Sequence, residues 1–280
     1  MRWNIDHTTR FAYATPVHDS FNELRLQPFS DDHQTVESFD LRVQPAVPVR
    51  QYRDFNANWV HHFDVVRPHA ELVVESRLRV ATHPKCRPGP DARPAPMARM
   101  KEALQVGRCC DFMFESWYVD TAPETWRLAV DAVQGEDDAW QCALRLMRFV
   151  HGHLRYQSHS THTHTHMRDV LAQRRGVCQD FAHVMLGLCR SLKIPALYVS
   201  GYLATENASA THAWTEVFIP GLGWQPLDPT HNCQPGDTYV KIGVGRDYGD
   251  VAPVKGTYRG TTERTMRVEV RITRANSDGG

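Results

Sequence analysis

The chain has 280 residues, of which 41% are apolar and 23% are charged, so its composition is that of an ordinary globular protein with a buried core. The 32 Lys and Arg residues balance the 32 Asp and Glu residues, so neither nucleic acid nor a membrane surface is expected as a partner. The amino terminus lacks the apolar stretch of a secretory signal, and no apolar run is long enough to span a bilayer. We therefore expect a cytoplasmic location.

Residues 1–85 predict a β domain. Short runs of β-branched and aromatic residues alternate with turn-prone stretches, and no helical period appears. The predicted strands are Phe11–Tyr13, Leu24–Leu26, Phe39–Val43, Val60–Val65 and Leu72–Val80. These features predict an N-terminal β-sandwich-like domain. Residues 86–96, which are rich in proline, predict a linker.

Residues 97–275 predict a core of the α+β class, followed by a disordered tail at residues 276–280. The apolar spacing predicts helices at Met97–Gln105, Glu124–Val133, Asp138–His153 and Val170–Gln173, then a strongly amphipathic helix that Pro195 ends. Predicted strands follow at Leu197–Leu203, Ala213–Ile219, Trp224–Leu227, Tyr239–Val244 and Met266–Ile272. Seven cysteines without paired CxxC spacing predict neither a disulfide framework nor a zinc site, and we expect no cofactor.

Cys178 lies where the chain would activate a nucleophile. Gly176 permits a tight turn, and the amphipathic helix follows it with Cys178 in the first turn. Unpaired N–H groups and the positive end of the helix dipole favour the thiolate, which is the reactive form of cysteine. The backbone N–H of Cys178 is also a candidate oxyanion donor. A purely structural cysteine at a helix start is the alternative.

His212 and Asp228 supply the partners that such a thiolate needs. His212 begins one predicted strand and Asp228 follows the next, and the turn signal Pro220–Gly223 joins them into an antiparallel hairpin. An imidazole accepts and returns protons near neutral pH, and a carboxylate holds the imidazole in one tautomer. Cys178, His212 and Asp228 therefore predict the catalytic triad of a cysteine acyl-transfer site.

Several segments of the chain resemble the transglutaminase-like superfamily. They are GVCQDFAH (Gly176–His183), HAWTEVFIPGLGWQPLDPT (His212–Thr230) and VGRDYGDVAPVKGTY (Val244–Tyr258), the last of which is similar to the bacterial branch. The first 80 or so residues resemble the N-terminal β domain of that branch, especially at Asp54–Phe63, where Ala57 stands in place of an expected glycine.

The resemblance implies a papain-like site on a core in which helices pack on an antiparallel sheet. It implies that Cys178 is the nucleophile, His212 the base and acid, and Asp228 the residue that orients the imidazole. We expect a peptide or protein substrate, in which a peptide or isopeptide-like amide reacts through a thioester intermediate. Hydrolysis is favoured over transamidation, because nothing in the sequence marks a dedicated amine site. The oligomeric state stays open.

Other residues carry weaker hypotheses. Trp214, Tyr202 and Trp224 are candidates for lining the substrate groove, although core packing explains each of them equally well. His159, His162, His164 and His166 alternate with Ser and Thr, so they could bind a metal ion or could form a solvated loop. Asp180 and His183 are expected to serve the helix and its packing, and Cys233 is a loop thiol near Asp228. A catalytically silent interaction module with the same fold is the second overall hypothesis.

Overall fold

The computed structural model describes residues 1–84, 95–107, 109–205 and 208–275. The predicted tail and all but the last two residues of the predicted linker lie outside these ranges. Among the described residues, no helix combines the length and the hydropathy needed to cross a membrane.

Thirteen strands and five α-helices form the described fold. The strands are β1 (Arg2–Leu24), β2 (Gln34–Gln44), β3 (Arg50–Arg53), β4 (Trp59–Val65), β5 (His69–Thr82), β6 (Arg155–Tyr156), β7 (Arg175–Gly176), β8 (Ala196–Thr205), β9 (Ala208–Ile219), β10 (Gly223–Leu227), β11 (Tyr239–Gly245), β12 (Val254–Arg259) and β13 (Arg264–Arg274). The helices are α1 (Pro123–Val133), α2 (Ala139–His153), α3 (Met167–Gln173), α4 (Cys178–Ser191) and α5 (Tyr248–Val251), and two 3-10 helices span Met97–Gln105 and Cys109–Phe112.

Strand β1 organises the N-terminal sheet because it takes part in both of its halves. Its first half pairs with β5 and β13, and its second half pairs with β4 and β12, all antiparallel. The register shifts between the halves, where Asp19 adopts a φ of 49°. This irregularity lets one long strand change direction. The apolar residues of both halves then enclose a shared core that includes Phe11, Val17, Phe63 and Leu72.

The second sheet has the antiparallel order β10-β9-β8-β11, and helix α4 packs against β8 and β9. Residues 181–190 of α4 are buried throughout, which explains why its apolar spacing is so strong in the sequence. Its side chains Phe181 and Met185 share the main core with Trp140 and Leu146 of α2. Helices on one side of an antiparallel sheet are the expected α+β architecture, so the predicted fold class is confirmed.

Several predicted elements differ in extent. His212 is not at the start of its strand, because β9 begins at Ala208 and pairs with β8 from there to Val217. Only Leu24 of the predicted strand Leu24–Leu26 lies in a strand, as the last residue of β1, and the helix Met97–Gln105 is a 3-10 helix. Strand β3 was missed because all four of its residues are exposed, so it carries no apolar alternation.

The last two strands join the N-terminal sheet, since β12 and β13 both pair with β1. The division into a β domain of residues 1–85 and a core of residues 97–275 stays a prediction, but the strand pairing crosses that boundary. Both ends of the described chain therefore contribute to one sheet.

Two side-chain amides join the N-terminal sheet region to the free edge of β11. Gln34 donates to the backbone C=O of Lys241 at 2.7 Å and accepts from its N–H at 2.8 Å. Asn58 makes the same pair of bonds with Val244, both at 2.8 Å. An edge strand presents unpaired backbone groups, and here two amides satisfy them as a neighbouring strand would.

The backbone of the turn that presents Asn58 explains why a glycine was expected at position 57. Asp54 accepts hydrogen bonds from the backbone N–H groups of Asn56 and Asn58, each at 2.9 Å, which closes the turn. Ala57 lies in this turn with a φ of 61°, in the left-handed region that favours glycine. A residue with a side chain is tolerated there at a modest energetic cost.

We expect Asn58→Ala to lower the free energy of unfolding by about 2–3 kcal/mol, because it leaves both backbone groups of Val244 without their partner. Urea denaturation would measure the change. The control is Asn4→Ala, which removes an exposed amide from β1 and should change the stability by less than about 0.5 kcal/mol. Equal losses in the two variants would contradict a bridging role for Asn58.

Candidate active site

Helix α4 begins at Cys178 because the residues around it fix the first turn. The Asp180 carboxylate accepts a hydrogen bond from the backbone N–H of Val177 at 2.8 Å and one from Thr161 Oγ1 at 2.6 Å. A Cβ at Gly176 would approach the Asp180 side chain to 2.6 Å, so glycine is required there. The turn places the half-buried Cys178 at the first helical position, where backbone N–H groups have no partner within the helix.

His212 lies on β9, and its Nε2 is 2.7 Å from Asp228 Oδ2. Asp228 directly follows β10, which pairs with β9 as the antiparallel hairpin that the turn signal predicted. Cys178 and His212 line the same cleft, and the thiol is among the groups that raise the pKa of the imidazole. Because Nε2 is engaged by Asp228, the other ring nitrogen, Nδ1, is the one that can exchange a proton with the thiol. The structure therefore brings Cys178, His212 and Asp228 together.

The fully buried carboxylate of Asp228 accepts five hydrogen bonds. Oδ2 accepts from His212, from Nδ1 of His231 at 2.8 Å and from the hydroxyl of Tyr239 at 2.8 Å. Oδ1 accepts from the backbone N–H groups of Thr230 at 2.8 Å and His231 at 3.2 Å. Burial alone would raise the pKa of Asp228, but these donors hold it well below its usual range.

The imidazole of His212 is held in its charged form. Burial acts to lower the pKa of His212, but the hydrogen bonds with Asp228 and Cys178 and their negative charges outweigh it and raise the pKa to about 9. A protonated imidazole in the same cleft as a cysteine suits the chemistry of a cysteine nucleophile.

Cys178 and His212 open into a cleft of about 270 Å³. One wall comes from α4, β8 and β9 and includes Tyr198 and Ser200. The opposite wall comes from the N-terminal sheet and includes His7 of β1 and Met266 and Val268 of β13. The two sheets therefore form the cleft together.

Comparison with known proteins gives the family. The model of the transglutaminase-like superfamily matches residues 127–229, and that of the bacterial transglutaminase-like N-terminal region matches residues 3–81. An uncharacterised protein of Mycobacterium leprae is 33% identical over 283 residues, which cover 98% of this chain and 99% of that protein. The chain belongs to the transglutaminase-like superfamily. The resemblance seen in the sequence is thereby confirmed.

A solved structure and a further sequence relative are also similar to this chain of the transglutaminase-like superfamily. The solved structure of a proposed cysteine protease from Cytophaga hutchinsonii superposes with a TM-score of 0.80 at 22% identity, covering 100% of this chain and 92% of that one, which is a likeness of fold. A protein-glutamine gamma-glutamyltransferase of Pseudomonas aeruginosa is 35% identical over 72 residues, which cover 22% of this chain and 11% of that protein. The superfamily and this fold indicate acyl transfer or hydrolysis.

The sequence did not predict two of the residues that contact Asp228, His231 and Tyr239. His231 follows Asp228 by three residues, a spacing that could have suggested it. Tyr239 begins the next strand after a loop and carries no local signal. Burial and the charge of Asp228 raise the pKa of Tyr239, so its hydroxyl stays protonated and donates. The backbone of Cys233 exchanges hydrogen bonds of 2.8 and 3.2 Å with that of Asp228, and its Sγ lies 3.4 Å from the Tyr239 hydroxyl.

The three residues predicted to line the substrate groove lie outside the cleft that contains Cys178. Trp214 is 2% exposed and stacks on His212 with ring centroids 6.2 Å apart. Tyr202 is buried between the sheets, where its hydroxyl contacts His7 Nδ1 at 2.7 Å. Trp224 lines a separate cavity of about 550 Å³ beside Lys241. None of the three lines the Cys178 cleft, so their substrate-binding role stays a prediction that this placement does not favour.

The histidine-rich run does not assemble a metal site among the described residues of this superfamily member. The set of three whose ligand atoms lie within 4.8 Å of one another is His212, Asp228 and His231. In the run, His166 Nδ1 accepts from the N–H of Arg168 and caps α3, and His164 lies 3.4 Å from the Tyr118 hydroxyl. His183 is fully buried, and its Nε2 accepts from the backbone N–H of Tyr248 at 3.2 Å.

We expect Cys178→Ala to lower the pKa of His212 from about 9, because the variant loses a hydrogen bond and a negative charge that favour the imidazolium. In the wild type, the stabilisation from the charged imidazole is complete below the ordinary histidine pKa of about 6.5 and is lost as the pH rises through about 9. In the variant this loss begins at lower pH. NMR titration of the imidazole would measure the change.

The control for that titration is Cys110→Ala, which removes a half-buried thiol beside Asp111. The titration of His212 should be unchanged in this variant. An unaltered titration in Cys178→Ala would show that the thiol and the imidazole do not interact in solution.

Proposed function

We propose that this chain is a cysteine-dependent enzyme that cleaves an amide of a peptide or protein through a thioester, with Cys178 as nucleophile, His212 as acid and base, and Asp228 as orienting carboxylate. The observation that carries the proposal is that His212, which is hydrogen-bonded to the buried Asp228, lines one cleft together with Cys178. The family match supports the reaction class.

In the first half of the reaction, the Cys178 thiolate attacks the substrate carbonyl carbon. A C–S bond forms, and the electron pair of the C=O bond moves to the oxygen. When this tetrahedral species collapses, the C–N bond breaks and His212 Nδ1 gives its proton to the leaving nitrogen. The departing group leaves as ammonia or an amine, and the acyl group stays on the sulfur as a thioester.

In the second half, neutral His212 accepts a proton from water, and the water oxygen attacks the thioester carbon. The C–S bond then breaks, so the thiolate and the imidazolium are restored and a carboxylic acid is released. Asp228 stays ionised throughout and stabilises the imidazolium, as its buried set of donors favours.

Hydrolysis is favoured over transamidation within this proposal. A dedicated site for a lysine amine would place a carboxylate near the nucleophile. The described residues that line the cleft include no Asp or Glu side chain. Water needs no such charged partner to bind, so it is the favoured acceptor.

The six described cysteines are free thiols, which is in keeping with the expected cytoplasmic location.

The proposal predicts that the wild type hydrolyses members of a peptide-amide library and that Cys178→Ala reduces turnover by at least about 10³-fold. Mass spectrometry would identify the acid product, and an added primary amine would reveal any transamidation. Cys110→Ala is the matched control and should keep full turnover.

Alkylation by iodoacetamide separates an enzyme from a silent module on this fold. At pH 6.5 Cys178 should react faster than a free thiol, and His212→Ala should abolish the enhancement. Wild-type protein with ordinary alkylation kinetics and no turnover would make the chain an interaction module instead.

The wall formed by β13 suggests where the substrate binds. The apolar side chains of β13 alternate along one face, and Val270 and Ile272 pack into the core between the sheets. Met266 and Val268 continue this face beyond that core into the cleft, where they are 58% and 45% exposed. The described part of the chain leaves them exposed, so we assign them to an apolar side chain near the scissile bond.

We expect Met266→Asp to raise KM so that kcat/KM falls about tenfold for apolar substrates, since an apolar contact of about 1.4 kcal/mol is lost. Peptide hydrolysis kinetics would measure it. Thr265→Asp places the same charge on the opposite, exposed face of β13 and should leave kcat/KM within about twofold of the wild type. A similar loss in both variants would point to a general effect of charge.

A further inference from the structure

The wall behind the nucleophile contains a stack of aromatic rings that the proposed mechanism has not used. Tyr198 of β8 is 2% exposed and belongs to the core cluster against which Cys178 packs. It also lines the cleft together with Cys178 and His212. Its side chain is therefore buried by the core on one side and borders the reaction space on the other.

His183 holds this stack in place. Its ring lies 5.3 Å from that of Tyr198 and stacks on Tyr118 at 5.0 Å, with the planes 12° apart. Burial, followed by the charge of Arg190, lowers the pKa of His183 to about 3, so the ring is neutral at working pH. A neutral, buried ring flanked by two others fixes Tyr198 without adding a charge near the thiolate.

The hydroxyl of Tyr198, a residue that lines the same cleft as Cys178, stays protonated. Burial raises the pKa of Tyr198 well above its ordinary value, and the negative charge of Cys178 raises it further. A phenol that cannot ionise is a dependable hydrogen-bond donor. A negative charge developing near Cys178 would therefore meet a donor already in position.

Amide cleavage at Cys178 requires such a donor, because the carbonyl oxygen becomes negative when the C–S bond forms. The first-turn N–H of Cys178 supplies one donor at the helix terminus. The amide of Gln179 is the competing second donor, and one of its two N–H groups is engaged by the backbone C=O of Thr163 at 3.3 Å. Oxyanion sites pair backbone and side-chain donors in many acyl-transfer enzymes.

We propose that the Tyr198 hydroxyl is the side-chain donor of the oxyanion site, acting together with the backbone N–H of Cys178. This inference rests on the proposed function and adds a catalytic residue to it. Tyr198 makes its bond to the oxyanion of the tetrahedral species, and no proton is transferred. The residue therefore contributes to the transition state and little to substrate affinity.

The test compares Tyr198→Phe with the wild type on a peptide amide that the wild type hydrolyses. We expect kcat to fall about 10²-fold with KM changed by less than about threefold, as for loss of one oxyanion donor. A peptide aldehyde of the same sequence, whose adduct places an oxygen in this site, should bind about 10²-fold more weakly. Iodoacetamide alkylation of Cys178 should stay within about twofold, because attack on a saturated carbon creates no oxyanion.

Tyr118→Phe is the matched control, because it removes a hydroxyl from the same ring stack outside the cleft lining. It should keep the wild-type kcat. Full activity in Tyr198→Phe, or a loss that falls instead on Ser200→Ala or Tyr248→Phe, would overturn the assignment. A wild type that neither hydrolyses amides nor shows enhanced alkylation would instead overturn the proposed function, so the two failures are distinguishable.

Discussion

The structure around the cleft depends on one constraint: the Asp228 carboxylate is fully buried and ionised. Removing a carboxylate from water is costly unless hydrogen-bond donors replace the lost solvent. The donors come from β9, from the loop after β10 and from the start of β11, so three segments must converge on one side chain. This requirement fixes His212 in a single orientation. The carboxylate is thus a structural centre as well as an electrostatic partner of the imidazole.

Two buried histidines show how the surroundings decide protonation. His183 and His212 both lie in the interior, yet burial and Arg190 lower the pKa of the first to about 3, whereas Asp228 and Cys178 raise the pKa of the second to about 9. The neutral ring can therefore accept a backbone N–H and stack on tyrosines, while the charged one pairs with a carboxylate. The sequence analysis expected packing from His183 and a base at His212, and the neighbouring charges give the two rings different protonation states.

The sequence could predict what depends on local pattern. The spacing around Gly176 and Cys178 located the helix start, and the turn between β9 and β10 placed His212 near Asp228. It could not predict Tyr239 as a partner of Asp228, because a loop separates them and a strand-forming tyrosine has many uses. Nor could it predict that β13 pairs with β1, since alternation identifies a strand without naming its neighbour. Trp214 and Tyr202 were candidates for the groove because aromatic residues serve cores and clefts alike.

Strand β11 connects the buried Asp228 carboxylate to the N-terminal sheet region. At its start, Tyr239 donates to Asp228, and farther along its free edge Lys241 and Val244 are held by Gln34 and Asn58. The same N-terminal region pairs β1 with β13, whose exposed apolar residues form the far wall of the cleft. A shift of the N-terminal sheet would therefore move that wall and disturb the strand that carries a donor to the carboxylate. The two amide bridges thus tie the N-terminal sheet, and with it the β13 wall of the cleft, to the strand that carries Tyr239 to Asp228.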